Sequence, residues 1–266
     1  MKETPHPSSG IKRSVQDQFG QVAANYSVST VHSTGDELSR MAEIAAELGA
    51  EEVLDAGCGP GHTALALAPF VHRVVALDLS EPMIREGRRL AAVRQIKNVE
   101  FRLGDVEELP FEDDSFDLVT SRYSAHHWPN PPAALHEFRR LLRPGRSGRA
   151  QLLLADVVSF DDFSQDTHLQ AIELLRDPSH VRDHTPRQWL AMLDAAGFRA
   201  EIDQTWDLAI DFDSWVKRMA TPPASIAMIR SLFHNAPDEV RQALKLQADG
   251  SFSFRCALLR AQGQDA

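Results

Sequence analysis

The sequence has 266 residues, of which 43% are hydrophobic and 25% are charged, so its composition is that of a globular protein. It carries 38 acidic and 28 basic residues, and the net charge of −10 disfavours a broad nucleic-acid or membrane-surface interface. Two cysteines are too few for a disulfide framework, and the longest apolar run, residues 64–71, is shorter than the about 20 residues that cross a bilayer. The N-terminal residues contain no apolar signal region, so we expect a cytoplasmic protein without a transmembrane segment.

The first part of the chain changes from an irregular start to a regular alternation of elements. Residues 1–10 show no periodicity and are rich in Pro and Ser, which indicates a mobile leader. Apolar residues at helical spacing predict a helix over 36–48, with Gly49 where helices favour a glycine C-cap. Between residues 51 and 156, apolar runs alternate with helical stretches, which is typical of β-α-β units around a parallel sheet. These runs lie at 53–54, 74–77, 99–103, 116–120 and 152–155.

Two irregular segments interrupt this pattern after residue 156. A polar stretch over 159–184 and a helical stretch over 213–250 are predicted to be insertions that form a cap over the sheet. Between them, a capping box at Thr185 and Gln188 predicts a helix, and residues 198–210 have the pattern of a strand. The predicted units are 1–35 as N-terminal leader and lid segment, 36–158 as the main core, 159–184 as the first cap insertion, 185–212 as core helix and strand, 213–250 as the second cap insertion, and 251–266 as closing strand and tail.

The segment from Val53 to Thr63 predicts a buried strand that continues into a glycine-rich turn and a helix. Glycines 57, 59 and 61 remove Cβ atoms from the turn, so a ligand can lie against the backbone at the helix N-terminus. A nicotinamide-dinucleotide fingerprint needs its third glycine at the position of His62, and no Gly-Lys-Ser/Thr follows as in a phosphate-binding P-loop. A tight strand-to-helix turn without a ligand is the alternative.

Two further strands end in residues that suit a ligand. Asp78 ends the second apolar run, where open α/β proteins bind ligands, and a carboxylate there can accept both hydroxyls of a ribose. Asp105 and Val106 follow the third run, where they can accept from an adenine amino group and cover its ring. For Asp78 taken alone, a helix N-cap is the alternative. Because three consecutive strand ends carry suitable groups, we expect one ligand to lie across them.

Five segments together resemble a known family, the class I S-adenosylmethionine-dependent methyltransferases, and most closely its ubiquinone/menaquinone-biosynthesis-like small-molecule branch with the type 11 methyltransferase domain. They occur in the family's order within residues 36–158. The segments are Asp55-Ala56-Gly57-Cys58-Gly59-Pro60-Gly61, then Ala76-Leu77-Asp78-Leu79-Ser80 with Met83, then 104–111, 114–119 and 137–145. Residues 146–149 lengthen the turn before the fifth strand, where the family usually has a glycine pair.

The resemblance implies a Rossmann-like α/β fold with a seven-stranded, mostly parallel sheet, helices on both faces and a helical cap. It implies an enzyme that uses S-adenosylmethionine, releases S-adenosylhomocysteine and transfers the methyl group in line to an oxygen, nitrogen or carbon atom of a small-molecule acceptor. In such an enzyme Asp78 holds the ribose, Asp105 meets the adenine, and Asp55 orders the turn or meets the donor's ammonium group. The donor-binding residues that the resemblance implies are Asp55, Gly57, Cys58, Gly59, Gly61, Asp78, Leu79, Met83, Asp105, Val106 and Ser121.

The candidate catalytic residues are two adjacent histidines. His126 and His127 follow the fourth strand beside the expected methyl position, so one of them can act as a general base, and His127 is favoured for the pocket. A packing residue beside a solvated one is the alternative. His180 and His184 have a spacing that can hold a metal on a helix, but no third spaced ligand is apparent, so we expect no metal and a cap role for His180. The residues assigned to the substrate pocket or its lid are Tyr26, Arg122, Trp128, His180 and Trp215.

Two other functions stay open. An RNA or protein substrate is the first alternative, and the net charge of −10 disfavours RNA. A non-catalytic S-adenosylmethionine-binding protein is the second, which an acceptor pocket filled by side chains would favour. As partners we expect a small-molecule acceptor, no nucleic acid and no membrane insertion, in a monomer or a homodimer.

Overall fold

The structure is a computed structural model that describes residues 10–27, 29, 33–144 and 150–264. The expected leader up to residue 9 and the lengthened turn over 146–149 lie outside the described residues. Of the helices in the described ranges, none is both long enough and apolar enough to span a membrane.

Seven strands form one sheet. They are β1 (Glu52–Ala56), β2 (Arg73–Asp78), β3 (Val99–Leu103), β4 (Leu118–Arg122), β5 (Gln151–Val157), β6 (Phe198–Ile210) and β7 (Phe252–Gly263). Their order is β3-β2-β1-β4-β5-β7-β6, and β7 runs antiparallel to both of its neighbours while the first five strands are mutually parallel. The prediction of a seven-stranded, mostly parallel, Rossmann-like sheet is confirmed.

Helices cover both faces of the sheet. They are α1 (Gly10–Ser27), α2 (Asp36–Leu48), α3 (His62–Leu67), α4 (Glu81–Val93), α5 (Pro131–Leu141), α6 (Phe163–Arg176), α7 (Pro186–Ala195), α8 (Phe212–Arg218), α9 (Pro223–His234) and α10 (Asp238–Ala243). Helices α2, α3 and α4 pack on one face with Val53, and α5 and α7 pack on the other with Leu54. Successive strand residues point to opposite faces, so the continuous apolar runs in the sequence are explained by burial on both sides.

Local capping signals fix several helix ends. Gly49 follows α2 in the left-handed conformation, with φ of 61°, as the predicted glycine C-cap requires. The predicted capping box is present at α7, where the Thr185 side chain accepts from the Gln188 backbone and the Gln188 side chain accepts from the Thr185 backbone. The side chain of Asn130 caps α5 in the same way by accepting from Ala133.

The helices outside the sheet layers lie over its carboxyl edge. Helices α6, α8, α9 and α10 share an apolar cluster around Trp215 that contacts Val157 at the end of β5 and Phe252 at the start of β7. Helix α1 packs through Tyr26 against Met83 of α4. Helices thus stand where the sequence predicted two cap insertions and an N-terminal lid, and the boundaries of the predicted units stay a prediction.

A buried ion pair connects α2 to the carboxyl end of β4. The Glu37 carboxylate accepts from Nε and Nη2 of Arg122 at 3.1 and 2.7 Å, and the two side chains are 5% and 2% exposed. In a buried pair each charge depends on its partner, because an unpaired charge away from water is strongly destabilising. This pair therefore anchors the strand end from which the loop carrying His126 and His127 departs.

We expect Glu37→Ala to lower the free energy of unfolding by about 3–5 kcal/mol, because it leaves the Arg122 guanidinium buried without its carboxylate. Glu47→Ala is the matched control on the same helix, since Glu47 is 60% exposed and its pair with Arg40 is worth about 0–1 kcal/mol. Urea denaturation of both variants measures the difference. Equal losses would contradict an anchoring role for the buried pair.

Candidate active site

A cavity opens at the carboxyl edge of the sheet where the strand order reverses between β1 and β4, and we call it the edge cavity. Such a reversal opens a crevice because the helices that follow the two strands cover opposite faces. Most of the predicted site residues line it. They are Tyr26, Gly57, Cys58, Gly59, Asp78, Leu79, Met83, Asp105, Val106, Arg122, His127 and Trp128.

The glycines of the turn between β1 and α3 have different roles. Gly59 lines the edge cavity with φ of 54°, and a Cβ atom built on it would meet nothing within 4 Å. Gly61 has φ of 81°, and a Cβ atom there would lie 2.6 Å from Cε1 of Phe101, so this glycine allows the turn to pack on β3. Gly59 therefore leaves room for a ligand, whereas Gly61 leaves room for a side chain.

Asp55 holds the glycine turn in place by accepting hydrogen bonds from the first turn of α3 and from β4. Its Oδ2 accepts from the Ala64 backbone at 3.0 Å, its Oδ1 accepts from the Thr120 hydroxyl at 3.1 Å, and the residue does not line the edge cavity. Burial raises the pKa of Asp55 to about 7, against the two hydrogen bonds. Of the two roles expected for Asp55, its contacts support ordering the turn.

Asp78 joins the turn to the second strand and reaches the edge cavity. Its Oδ2 accepts from the Gly59 backbone at 2.7 Å and its Oδ1 accepts from the Ser80 backbone at 2.8 Å. Burial raises the pKa of Asp78, against these backbone hydrogen bonds. A carboxylate oxygen can accept two hydrogen bonds, so this side chain can accept from a ligand and still hold the turn.

Helix α1 is tied across the third strand end by Lys12. The Lys12 ammonium lies 2.5 Å from Asp105 Oδ2 and 2.6 Å from Glu107 Oε2, and all three residues line the edge cavity. Burial works against the charge of Lys12, but the two carboxylates outweigh it and raise the pKa of Lys12. The N-terminal helix thus closes one side of the cavity through an ion-pair network.

His127 presents a neutral imidazole to the edge cavity. Its Nδ1 lies 3.1 Å from the carbonyl oxygen of Ser179, which can only accept, so Nδ1 carries the proton and Nε2 has the free lone pair. The ring packs edge-on against Phe19, with 4.9 Å between centroids. Burial and the charge of His126 lower the pKa of His127 to about 4.

His126 is held by Asp156, the residue at the end of the fifth strand. Its Nδ1 lies 2.7 Å from Asp156 Oδ1, and Asp156 Oδ2 accepts from the Ala125 backbone at 2.8 Å. Burial works against a charge on this ring, but the attraction and hydrogen bond of Asp156 outweigh it and raise the pKa of His126 to about 9. At neutral pH, His126 is therefore positively charged and the adjacent His127 is neutral.

A second cavity, the inner cavity, lies between the histidines and the cap. Its apolar wall is formed by Val157, Leu208, Ile210, Trp215 and Phe254. Its polar wall is formed by His126, Glu173, Arg176 and Arg218. Four residues line both cavities, namely Phe19, Tyr26, Tyr123 and His127. The two spaces therefore meet at the ring of His127.

Some predicted site residues lie elsewhere. Asp55 and Gly61 shape the glycine turn from outside the edge cavity, and the buried Ser121 hydroxyl has no hydrogen-bond partner among the described residues. Trp215 lines the inner cavity. His180 lines neither cavity and is buried beneath the cap beside Glu173 and Asp183. The individual roles stay predictions.

Sequence reasoning missed several residues around these cavities. Asp156 had a usable signal, because it ends an apolar strand at the sheet edge as Asp78 does. Lys12 and Arg176 had none, because each reaches the site from a helix outside the sheet. Their position depends on how those helices pack, which no local pattern indicates.

Comparisons with known proteins point to one family. Residues 54–147 match the family model described as a methyltransferase domain. The uncharacterized methyltransferase YcgJ of Bacillus subtilis is 35% identical over 247 residues, which cover 91% of this chain and 96% of YcgJ. YafE of Escherichia coli is 42% identical over 197 residues, which cover 74% of this chain and 93% of YafE.

The structural comparison agrees with the sequence comparisons. The crystal structure of YcgJ matches with a TM-score of 0.80 at 35% identity, covering 86% of this chain and 98% of the other. A demethylmenaquinone methyltransferase of Clavibacter sepedonicus is 38% identical over 135 residues, which cover 49% of this chain and 54% of that enzyme. The match to YcgJ extends well beyond the 94 residues of the methyltransferase domain, since it includes most of the cap.

We expect alanine at the two glycines to separate binding from folding. Gly59→Ala puts a methyl group into the edge cavity, so S-adenosylmethionine affinity falls while unfolding free energy drops by only the about 1–2 kcal/mol of a left-handed alanine. Gly61→Ala adds a clash with Phe101 worth about 1–3 kcal/mol, so it costs more stability, and the folded variant keeps its donor affinity. Calorimetry and thermal unfolding measure the two effects, and the reverse pattern would refute these roles.

Proposed function

Because the chain belongs to the class I S-adenosylmethionine-dependent methyltransferases, we propose that it methylates a small organic acceptor bound in the inner cavity. Its methyl donor is S-adenosylmethionine and its product from that donor is S-adenosylhomocysteine. The observation that carries the proposal is that Phe19, Tyr26 and His127 each line both cavities. An acceptor on one side of this boundary would meet a donor on the other.

The edge cavity has the groups that the donor requires. Gly59 leaves a space that a Cβ atom would fill, which suits the methionine part. Asp78 offers carboxylate oxygens to a ribose, and Asp105 with Val106 offers an acceptor and an apolar cover to adenine. When bound, S-adenosylmethionine supplies a methyl group on a cationic sulfur atom. The contribution of the chain is to hold donor and acceptor within reacting distance and to exclude water.

The inner cavity suits an acceptor with an apolar body and a polar end. Val157, Leu208 and Trp215 contribute apolar surface, while Glu173 and Arg176 contribute charge on the other side. Ligand pockets commonly combine apolar walls with a few polar groups that fix orientation. The Nε atom of Arg218 is buried without a hydrogen-bond partner among the described residues, so an acceptor oxygen can bind there without displacing an internal contact.

His127 is proposed as the group that takes the acceptor's proton. The carbonyl oxygen of Ser179 keeps the proton on Nδ1, which leaves Nε2 as the base. No described residue forms a hydrogen bond with Nε2 of His127, and Oδ2 of Asp177 lies 3.8 Å from this nitrogen. The edge contact with Phe19 holds the ring between the two cavities. His127 thus combines the required position and protonation state.

The inner cavity is lined mainly by buried residues, which favours a small molecule over RNA or protein. The net charge of −10 also opposes RNA, because phosphate contacts need clustered basic residues. A non-catalytic donor-binding protein would have its acceptor space filled by side chains, whereas this chain has a cavity next to His127. Cys58 and Cys256 are both free, which supports the proposed cytoplasmic location because unpaired thiols suit a reducing compartment.

Calorimetry and labelled donor test the proposal. We expect S-adenosylmethionine and S-adenosylhomocysteine to bind and NAD not to bind. With methyl-labelled donor and a cell extract separated into metabolite, RNA and protein fractions, we expect label in the metabolite fraction. Label in RNA or protein would contradict the acceptor class, and donor binding without transfer to any fraction would contradict catalysis.

For the acceptor found in this way, we expect His127→Ala to lower turnover by about 10²–10⁴-fold, the usual range for a lost general base, with donor affinity nearly unchanged. His136→Ala is the control, because His136 is an exposed histidine on α5. Steady-state kinetics and donor calorimetry on the same preparations provide the two readouts. Full turnover in His127→Ala would reduce this residue to a packing role.

A further inference from the structure

A buried group of three metal-ligand side chains lies within the first cap insertion, apart from the edge cavity. Glu173 belongs to the last turn of α6, and His180 and Asp183 follow in the segment that leads to α7. One ligand atom of each residue lies within 4.8 Å of those of the other two. The three residues are 4%, 5% and 1% exposed, so water does not compensate their polar atoms.

Four polar atoms of this group have no hydrogen-bond partner among the described residues. They are Oε1 of Glu173, Nδ1 of His180 and both carboxylate oxygens of Asp183. A buried carboxylate without hydrogen bonds or a counter-ion is strongly destabilising, so buried acids are normally paired or bind a metal. The charges of Arg176 and His126 act on these acids from nearby, but the atoms without hydrogen bonds on all three side chains leave a place for a bound cation.

The hydrogen bonds of His180 leave one of its ring nitrogens available to a metal, while the other, Nε2, lies 3.9 Å from Asp183 Oδ2. Its Nε2 lies 3.0 Å from Oε1 of Gln170. The Gln170 amide is itself fixed, because its Nε2 donates to Asp166 Oδ1 at 2.9 Å and to the Asp183 carbonyl at 2.8 Å. His180 therefore donates through Nε2 and keeps a lone pair on the buried Nδ1. Metal-binding histidines usually donate their other ring N–H to an oxygen in this manner.

We propose that Glu173, His180 and Asp183 bind one divalent transition-metal ion such as Zn²⁺. An imidazole among the ligands favours a transition metal over Mg²⁺ and Ca²⁺, which prefer oxygen ligands. Three protein ligands are enough for a zinc site that leaves one coordination position open. From the sequence, only the pair His180 and His184 had the spacing of metal ligands. Glu173 did not stand out, because it lies seven residues before His180, on α6.

The ion would fasten the cap at the edge of the inner cavity. It would join α6 to the segment that carries Ser179, whose carbonyl oxygen holds His127. Glu173 also lines the inner cavity, and the His126 ring lies 5.9 Å from the His180 ring. The metal charge would therefore stand beside the proposed acceptor, while the proposal itself concerns the ion and holds whatever the acceptor is.

Metal titration of the complete, untagged protein tests the site. After chelator treatment, we expect one equivalent of Zn²⁺ to bind by calorimetry, with much weaker binding of Mg²⁺. The Zn²⁺-loaded protein should unfold at a higher temperature, because a ligand that binds only the folded state stabilises it. Failure of the metal-free protein to bind one equivalent of Zn²⁺ overturns the proposal.

Substitutions at the proposed ligands and at neighbouring histidines test whether these three side chains form the metal site. We expect His180→Gln and Asp183→Asn to weaken Zn²⁺ binding by more than about 100-fold, and Gln170→Ala by the about 10–100-fold typical of a residue that orients a ligand. His184→Ala and His168→Ala are controls, because both histidines lie in the same region outside the trio. Binding that survives in His180→Gln and Asp183→Asn but is lost in a control also overturns the proposal.

The stability of Asp183→Asn gives a readout that does not depend on activity. In metal-free protein this variant should unfold at a higher temperature than the parent, because it replaces a buried acid whose carboxylate oxygens accept no hydrogen bond from any described residue. In the presence of Zn²⁺ the order should reverse, because the parent alone gains from the ion. An Asp183→Asn variant that is more stable than the parent in both conditions would mean that the acids share protons and bind no metal.

Discussion

The direction of the strands is the constraint on which the rest of the structure depends. The first five strands are parallel, so the loops after β1, β2, β3, β4 and β5 all leave from one edge. β7 is antiparallel, so the chain leaves β6 at Ile210 and returns at Phe252 on that same edge. Both cap insertions therefore leave from the carboxyl edge of the sheet, and they form part of the inner cavity through residues such as Arg176 and Trp215.

Aspartate side chains near the carboxyl ends of the strands hold the loops at this edge in fixed conformations. Asp55, Asp78 and Asp156 lie at or one residue before the ends of three different strands, and each accepts a backbone N–H from the chain that follows or from a neighbouring turn. A carboxylate that accepts such bonds fixes the loop in one conformation and remains buried at acceptable cost. The same residue type thus orders the glycine turn, supports it from the next strand, and holds the loop of the two histidines.

The parts of the structure that could be predicted are those that depend on neighbours in sequence. The glycine turn, the Gly49 cap and the Thr185 capping box follow from residues a few positions apart, and the seven-stranded, mostly parallel sheet follows from the family resemblance. Contacts such as Lys12 with Asp105, 93 positions apart, or Arg176 with Tyr26, 150 apart, depend on how helices settle on the sheet. The sequence did not indicate Glu173 as a metal ligand for the same reason, since only the turn after α6 brings it close to His180.

A charged His126 beside a neutral His127 fits the chemistry proposed for the site. Burial and the charge of His126 make His127 a weak base, and a weak base cannot remove a proton from an ordinary alcohol or amine in advance. An acceptor oxygen or nitrogen becomes far more acidic as it gains a methyl group, so a base with a pKa of about 4 suffices once transfer is under way. A stronger base would gain little in such a reaction, and as an imidazolium at neutral pH it would have no lone pair with which to accept the proton. In the proposed reaction, burial and the charge of His126 together keep His127 neutral and ready to accept a proton at the moment when the acceptor releases it.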